Sequence, residues 1–194
     1  MRKRISELAE KVFAGVPSAG RTPLGKGEYK VKVINIKDLV DGVVDTANLA
    51  EEVVESLDKV NQFMVKEGDV IITARGTVIK SAVATKECEG CLISGNLIAI
   101  RLRPGAEIHP HVLQAYFESK LGQKNIQSIS RSSAFMLSLT KSSVMELEIP
   151  IPNKDDHDNL VKLTKLRNEY FKAAKEAMNL RQMLIQETIN KLFV

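Results

Sequence analysis

Long hydrophobic runs are absent from this 194-residue chain. No apolar stretch approaches the roughly 18 residues that a membrane-spanning helix requires, which excludes an integral membrane protein of the helical kind. The first residues, Met1-Arg2-Lys3-Arg4, are basic, but Glu7 and Glu10 follow them and no apolar signal core is present. Hydrophobic content of 44% and charged content of 27% are typical of a soluble globular protein. We therefore expect an unprocessed cytoplasmic protein.

Cysteine is scarce, and its two copies, Cys88 and Cys91, form a single C-x-x-C pair. A structural zinc site needs four ligands; only His109 and His111 could complete one, and their spacing is not that of a zinc finger. A redox function is disfavoured because the neighbouring acids would raise the thiol pKa rather than lower it. We expect reduced cysteines beside a tight turn, and no metal.

Motifs of common catalytic sites are missing as well. The chain has no Gly-rich nucleotide loop, no Gly-x-Ser-x-Gly elbow and no His-Glu-x-x-His zinc motif. Glu28 and Lys30 have the spacing of some metal-dependent nucleases, but no Asp precedes them to share a metal ion. His109 and His111 are better placed to cap a helix, and His157 has no partner in view. These absences favour a non-catalytic protein without a cofactor; a small metal-dependent nuclease is the enzymatic alternative.

Glycine and proline are absent from Asp155 to Phe193. Apolar residues alternate there in steps of three and four, the heptad pattern of a helix that lies along another helix. Asn153 or Asp155 can cap its start, and at about 1.5 Å per residue it is roughly 58 Å long. We predict a domain over residues 1–153 and a helical spacer or dimerisation arm over residues 154–194. The predicted dimerisation residues are Leu163, Leu166, Tyr170, Ala173, Ala177, Leu180 and Leu184, with a seam that drifts to Ile185, Ile189 and Leu192.

The body before the arm has the pattern of an α+β domain rich in mixed or antiparallel strands. Strands are predicted over residues 31–36, 70–73, 78–84, 97–102 and 144–149, where apolar and β-branched residues cluster or alternate. Asp41-Gly42 predicts a tight turn. Helices are predicted over residues 4–13, 49–64 and 110–121, and a polar, serine-rich loop over residues 123–143.

Charges of one sign are absent from particular segments, although the net charge of +4 is modest. Residues 38–69 contain nine acids against two lysines, whereas residues 70–86 and 119–145 contain basic residues and no acid. This segregation predicts one face directed to a polyanion and an opposite acidic face. A solvated surface without a ligand is the alternative.

Two of the basic segments are candidates for contact with nucleic acid. Arg75 lies at the predicted tip between two strands, where its planar guanidinium group can meet a phosphate or a guanine edge. The serine-rich segment around Arg131 offers hydroxyl and N–H groups to phosphate oxygens, and the arginine adds charge. The alternatives are an exposed turn and a surface loop that bind nothing.

Several segments follow one another along the chain in a recognisable order. They are Val33-Ile34-Asn35-Ile36-Lys37-Asp38-Leu39, Gly68-Asp69-Val70-Ile71-Ile72, Arg75-Gly76-Thr77, Ile93-Ser94-Gly95-Asn96-Leu97, Ile108-His109-Pro110, Val112-Leu113, Tyr116-Phe117 and Leu147-Glu148-Ile149-Pro150-Ile151-Pro152. Together they resemble the target-recognition domain of type I restriction-modification specificity subunits. The resemblance implies a non-catalytic subunit that binds a specific double-stranded DNA sequence. It also implies adenine-N6 methyltransferase subunits and an ATP-driven restriction subunit as partners. A usual subunit has two recognition domains and two helical spacers; this chain has one of each and so resembles half a subunit.

This interpretation carries a mechanism. One domain reads only a few base pairs, and each mismatch costs about 1–3 kcal/mol, so pairing two chains through the arm multiplies discrimination. A two-fold symmetric homodimer predicts an interrupted inverted repeat as the target, with the domains at opposite ends of antiparallel arms. The alternative is a coiled-coil factor that binds the methyltransferase without reading DNA. The predicted DNA contacts are Arg75, Thr77, Lys80, Lys124, Arg131, Ser132 and Ser133, then Arg21 and Lys26 in the opening loop.

Overall fold

The computed structural model describes residues 1–16, 24–130 and 136–193, without the side chains of residues 24–28 and of Leu137. The strands are β1 (Arg2–Arg4), β2 (Ala9–Ala14), β3 (Leu24–Ile34), β4 (Leu39–Val40), β5 (Val43–Val44), β6 (Ala50–Val54), β7 (Val70–Thr73), β8 (Arg75–Gly76), β9 (Ser81–Val83), β10 (Leu92–Ile93), β11 (Leu97–Leu102), β12 (Leu137–Ser138) and β13 (Glu148–Pro150). The helices are α1 (Ile5–Leu8), α2 (Leu57–Asn61), α3 (Pro110–Glu118), α4 (Lys120–Ile129), α5 (Lys141–Met145) and α6 (Lys154–Leu192), with 3-10 turns at Ile36–Asp38 and Lys86–Cys88.

A six-stranded sheet in the order β2-β11-β7-β9-β5-β4 forms the centre of the body. Its neighbours are antiparallel except for β5 and β9, which are parallel. Along β7, Val70 and Ile72 face a core shared with α3, α4 and α5, while Ile71 faces a second core. A strand buried on both faces reads as a continuous apolar run, which is why the sequence predicts β7 and β11 well.

A smaller sheet, in the order β10-β3-β6, has a core of its own. Strand β3 is parallel to β10 and antiparallel to β6. Val31 and Val33 are buried while Lys30 and Lys32 are exposed, the period of two that a strand shows when one of its faces packs on a core. The predicted turn at Asp41-Gly42 joins β4 to β5, and both of its residues have positive φ, as the tight hairpin turn requires.

Helices α3 and α4 cover one face of the main sheet. Pro110 opens α3, where its missing N–H loses no hydrogen bond, and His109 caps this helix by accepting at Nδ1 from His111 N at 3.2 Å. Ser119 ends α3 and caps α4, since its Oγ accepts from Gly122 N at 3.0 Å. Phe117 and Ile126 are fully buried between these helices and the sheet.

Two predicted helices are wrong because strand pairing overrides their periodicity. Residues 4–13 divide into α1 and β2; Val12 and Phe13 in β2 face different cores, which consecutive residues do in a strand. Residues 49–64 divide into β6 and α2, because Val53 and Val54 pair with β3 across the smaller sheet. Tertiary pairing decides both segments, as helical periodicity over so few residues is a weak signal.

Two predictions near the end of the body also need correction. The expected loop over residues 123–143 begins as helix α4, because Ile126 and Ile129, three residues apart, pack on the main core. The expected strand over residues 144–149 divides into the end of α5 and the short strand β13, which pairs with β1. Few apolar residues are enough to hold an element when they are placed at the right spacing.

The arm is the helix α6, and Asn153, one of the two cap candidates in the sequence, is its N-cap. Asn153 Oδ1 accepts a hydrogen bond from Asp156 N at 2.9 Å. Toward its start α6 packs against the body, chiefly on α3, and buries Thr164 and Asn168. Residues 176–193 are exposed throughout. The predicted class, an α+β body rich in mixed and antiparallel strands followed by one long C-terminal helix, is confirmed.

Candidate nucleic-acid interface

The segment between β7 and β9 forms a two-stranded ribbon with a distant part of the chain. Strand β8 pairs antiparallel with β12, with Gly76 opposite Leu137 and Arg75 opposite Ser138. Leu139 N donates to Ala74 O at 2.8 Å, and Ala74 N donates to Asn96 O at 2.8 Å. The tip is therefore held by three segments rather than standing as the free hairpin that the sequence predicts.

This ribbon brings the two acid-free segments of the sequence together. Arg75 comes from residues 70–86, and its partner strand β12 comes from residues 119–145. Arg75, Lys124 and Lys141 are exposed, and within the described part of the chain none of them lies within 4.0 Å of a carboxylate. A positive surface of this kind attracts a polyanion, because no internal acid neutralises it.

The ribbon projects polar and apolar groups side by side. Thr77 is exposed next to Arg75, and Val78 and Met136 are each 58% exposed. Gly76 has φ +148°, a conformation that L side chains rarely adopt, and a Cβ there would meet the Ile36 side chain at 3.7 Å. The backbone conformation, and not a lack of space, therefore favours glycine at this position, since 3.7 Å is an ordinary van der Waals distance.

The structure separates the predicted DNA contacts into three groups. Arg75, Thr77 and Lys124 are exposed on the ribbon and on α4. Lys80 is half-buried, and its Nζ donates to the carbonyl oxygens of Leu39 at 3.0 Å and of Ile36 at 3.4 Å, so its charge stabilises the 3-10 turn. Arg21, Arg131, Ser132 and Ser133 lie outside the described residues, as does the side chain of Lys26, whose backbone is part of β3.

Sequence reasoning missed several residues of this surface. Met136 and Val78 carry no charge, so a search for basic residues passes over them. Ser130 Oγ accepts from Ser138 N at 2.9 Å and so anchors β12 to the end of α4. Lys37 is exposed on the 3-10 turn beside Gly76. The only signal for Lys37 is its adjacency to the Asn35–Asp38 capping pair, which holds the 3-10 turn.

Part of the acidic segment has an internal role instead of forming a surface. Asp69 is fully buried, and its two carboxylate oxygens accept from Arg101 at 2.7 and 2.8 Å. This bond raises the pKa of the Arg101 guanidinium group. Asp38 is also buried and accepts from Asn35 N at 2.8 Å. Counting acids along the sequence therefore overstates the acidic face.

The cysteines and histidines lie away from the ribbon. Cys88 and Cys91 are free and buried beside the turn at Gly90, and burial raises the pKa of both thiols. His157 Nε2 accepts from His109 N at 3.0 Å, and burial lowers the pKa of His109 to about 4. Within the described ranges, no group of three or more His, Cys, Asp or Glu side chains could hold a metal ion.

The predicted dimerisation residues form an exposed stripe on α6. Leu163, Leu166 and Tyr170 are 64%, 64% and 68% exposed, and Leu180 and Leu184 are each 56% exposed. Ala173 and Ala177 are exposed on the same stripe. The buried residues of α6, Thr164 and Asn168, lie on the other side of the helix, so packing on the body leaves the stripe uncovered. Among the described helices, including α6, none is both long and apolar enough to cross a bilayer.

Comparison with known proteins agrees with this arrangement. The family model of the type I restriction modification DNA specificity domain matches residues 1–178. Search of curated protein sequences finds no significant match. A solved structure described as the basis of complex assembly and conformational transition of the type I R-M system is 20% identical, with TM-score 0.61, covering 91% of this chain and 40% of that chain.

Two further solved structures share the fold. The HsdS subunit from Thermoanaerobacter tengcongensis is 19% identical with TM-score 0.55, over 91% of this chain and 39% of that chain. The S subunit from M. genitalium is 14% identical with TM-score 0.55, over 90% of this chain and 41% of that one. The present chain thus spans about 40% of the length of these solved subunits. With the family model covering residues 1–178, the chain belongs to the type I restriction-modification DNA specificity domain family.

Proposed function

We propose that this chain is a DNA specificity unit that reads one half of a bipartite double-stranded target. The single observation that carries the proposal is the pairing of β8 with β12, which joins two acid-free segments in one ribbon that exposes Arg75. A two-stranded ribbon is narrow enough to enter the major groove, where the base edges are distinguishable. Family membership supports the same assignment.

The residues of this surface divide by their chemistry. Arg75 is exposed at the ribbon, where no carboxylate of the described residues pairs with its guanidinium group, and it suits bidentate contact with a guanine edge or a phosphate. Lys124 on α4 and Lys141 on α5 present exposed ammonium groups that suit phosphate contact and therefore fix position rather than sequence. Thr77, Val78 and Met136 offer a hydroxyl and apolar groups, the latter suited to a thymine methyl. Arg131, Ser132 and Ser133, which lie outside the described residues, stay predicted contacts.

The uncovered stripe on α6 supplies the pairing of two such units. Leu residues exposed at heptad spacing on one helix are expected to pack against a second copy. Antiparallel packing places the two ribbons at opposite ends of the pair, and two-fold symmetry makes the target an interrupted inverted repeat. Pairing then multiplies the discrimination of two weak half-site contacts.

Catalysis belongs to partners in this proposal. The chain directs adenine-N6 methyltransferase subunits, and in a full complex an ATP-dependent restriction subunit, to the target, and it works in the cytoplasm without a cofactor of its own. Support comes from family membership and from one solved relative described in terms of type I complex assembly. A coiled-coil factor that binds the methyltransferase without reading DNA is the second candidate, favoured by the exposed stripe alone.

Mapping N6-methyladenine in cells that contain an adenine-N6 methyltransferase subunit of a type I system, with and without this chain, tests the proposal. With the wild-type chain we expect methylation at an interrupted inverted repeat, and without it no such pattern. Arg75→Ala should weaken the pattern, whereas Lys59→Ala, which removes an exposed lysine on α2, should leave it intact. The second candidate would be favoured if the methyltransferase copurified with the chain but the methylation pattern were the same with and without the chain, and with and without Arg75→Ala.

A further inference from the structure

The body meets the arm through a set of polar residues that we call the arm junction: Gly42, Gln114, Glu118, Arg167 and Asn168. Gln114 on α3 is fully buried, and its Nε2 donates to Gly42 O at 2.6 Å and to Glu118 Oε1 at 3.3 Å. Arg167 on α6 donates to Glu118 Oε2 at 2.5 Å. One chain of contacts thus runs from the β4–β5 turn through α3 to the arm.

Gly42 lets the β4–β5 turn approach both α3 and the arm closely. Its φ is +85°, and a Cβ there would lie 2.3 Å from Gln114 Nε2, 2.7 Å from Arg167 Nη2 and 3.1 Å from Asn168 Oδ1. Asn168 is 8% exposed, so the arm packs directly on the turn. A Cβ there would force the ends of the Gln114 and Arg167 side chains to shift and so disturb the hydrogen bonds that they make at the junction.

Polar groups with defined donors and acceptors supply much of the contact between the arm and the body. Leu160 and Val161 of the arm are only partly buried against the main core, whereas the polar residues Gln114 and Asn168 are buried at the junction. Two further ion pairs, Lys172 with Glu87 and Lys175 with Asp45, lie along the same face at the surface, where solvent screens them and weakens their hold on the geometry. Hydrogen bonds with defined donors and acceptors permit fewer relative orientations than apolar surfaces, which can slide.

We propose that the arm junction sets the angle between the recognition ribbon and the arm, and through it the number of base pairs between the two half-sites. The step from angle to spacing rests on the proposed function. Because one base pair rises about 3.4 Å, a tilt of about 7° over a lever of about 30 Å, half the helix length, moves the ribbon by one base pair. Buried Gln114 and the Arg167–Glu118 pair hold the tilt below that limit.

The angle itself is measured without DNA. Spin labels on Met136→Cys and Met183→Cys, two exposed positions on the ribbon side and the arm, report the distance between them while the native cysteines stay buried. Labelled chain is diluted with unlabelled chain so that only distances within one chain count. We expect one narrow distance distribution for wild type, and a broader or shifted one for Gln114→Leu and Arg167→Ala. Arg167→Lys keeps one donor for Glu118, so its distance distribution should lie between those of wild type and Arg167→Ala. This conservative variant guards against the case in which Arg167→Ala fails to fold.

Lys172→Ala is the matched control, because it removes an exposed ion pair on the same face of the arm and should leave the distance unchanged. Distributions that superimpose for wild type, Gln114→Leu and Arg167→Ala would overturn the inference.

The effect on spacing is measured by selecting from a DNA library in which two half-sites are separated by every spacer length. Wild type should recover one length, and the two junction variants should also accept lengths one base pair away, with the half-site bases unchanged. If the label distances broaden in the junction variants while the spacer length stays unchanged, the step from angle to spacing is overturned. If wild type recovers no half-site, the proposed function fails while the label distances still decide what the junction does.

Discussion

The ribbon of β8 and β12 and the arm junction each contain an arginine, and the two arginines differ in whether their charge is paired. Arg75 is exposed, and no carboxylate of the described residues pairs with it, whereas Arg167 is paired with Glu118 and lies over a fully buried glutamine. An unpaired charge in water is free to bind a ligand, while a paired charge in a closed network is already satisfied and instead restricts geometry. We therefore expect the same residue type to serve binding at the ribbon and orientation at the arm junction.

Gly42→Ala tests the closeness of the junction and should have the largest effect on stability. The substitution forces an alanine into positive φ and sets its Cβ against Gln114 and Arg167, so we expect the free energy of unfolding to fall by about 2–4 kcal/mol. Urea titration measures it. Gly105→Ala is the control, since Gly105 has φ +75° with nothing within 4 Å and should lose only about 1 kcal/mol. Equal losses at both glycines would mean that the arm does not press on the turn.

Arg75→Ala should separate binding from stability. We expect target affinity to fall by about 1–3 kcal/mol, roughly tenfold to a hundredfold, with thermal stability unchanged within about 0.5 kcal/mol. Fluorescence anisotropy at several salt concentrations and a melting curve provide the two measurements. Arg167→Ala should lower thermal stability and leave target affinity unchanged, because it leaves Glu118 without its cationic partner in a half-buried site. If both variants lost affinity and stability together, the contrast between the two arginines would fail.

His109, the residue that caps α3, makes stability depend on pH. His109 has a pKa of about 4 in the folded chain and 6.5 as the ordinary value, through burial and then the nearby His111, Lys165 and His157. Below pH 6.5 the unfolded chain therefore binds a proton that the folded chain does not, so stability falls as pH drops from 6.5 toward 4 and is level above that range.

Melting temperature against pH should show this decline, worth about 1 kcal/mol once solvent screening is allowed for. His109→Asn keeps an acceptor for the α3 cap and removes the titration. Its melting temperature should fall less steeply with acid than that of wild type, and an identical slope would assign the decline to other groups.

Lys124→Ala should have the smallest effect of the substitutions predicted here to alter binding or stability. Exposed on α4 and free of ion pairs within the described residues, Lys124 is expected to contribute one phosphate contact, so its loss should reduce the salt slope of binding by about 1 at every DNA sequence tested. A change in sequence preference instead would place Lys124 in the groove and not at the backbone.

Prediction from sequence succeeded where a local pattern is sufficient and failed where a distant segment decides. Strands β7 and β11, the Asp41-Gly42 turn and the Asn153 cap were all found, because apolar runs, turn residues and caps act over a few neighbouring residues. Residues 4–13 and 49–64 were misassigned, because their partners, β11 and β3, are far away in the chain.

The candidate site divides in the same way. Arg75 and Lys124 were found as exposed basic residues, since charge and turn position are visible in sequence. Lys80 looked equivalent to them, yet in the structure its ammonium group is bound by two backbone carbonyls of the 3-10 turn. The roles of Gln114, Arg167 and His157 were not visible at all, since each depends on a contact between the arm and α3.

The amino-acid sequence by itself determined the long C-terminal helix, its exposed heptad stripe and the α+β character of the body, because periodicity and the absence of glycine and proline act locally. Only the tertiary structure decided that β8 pairs with β12, which makes one surface of two basic segments, and that Gly42, Gln114 and Arg167 meet where the arm leaves the body. Both outcomes join residues more than sixty positions apart in the chain. Such contacts form when the sheet and helices close around a common core, and no local pattern in the chain encodes them.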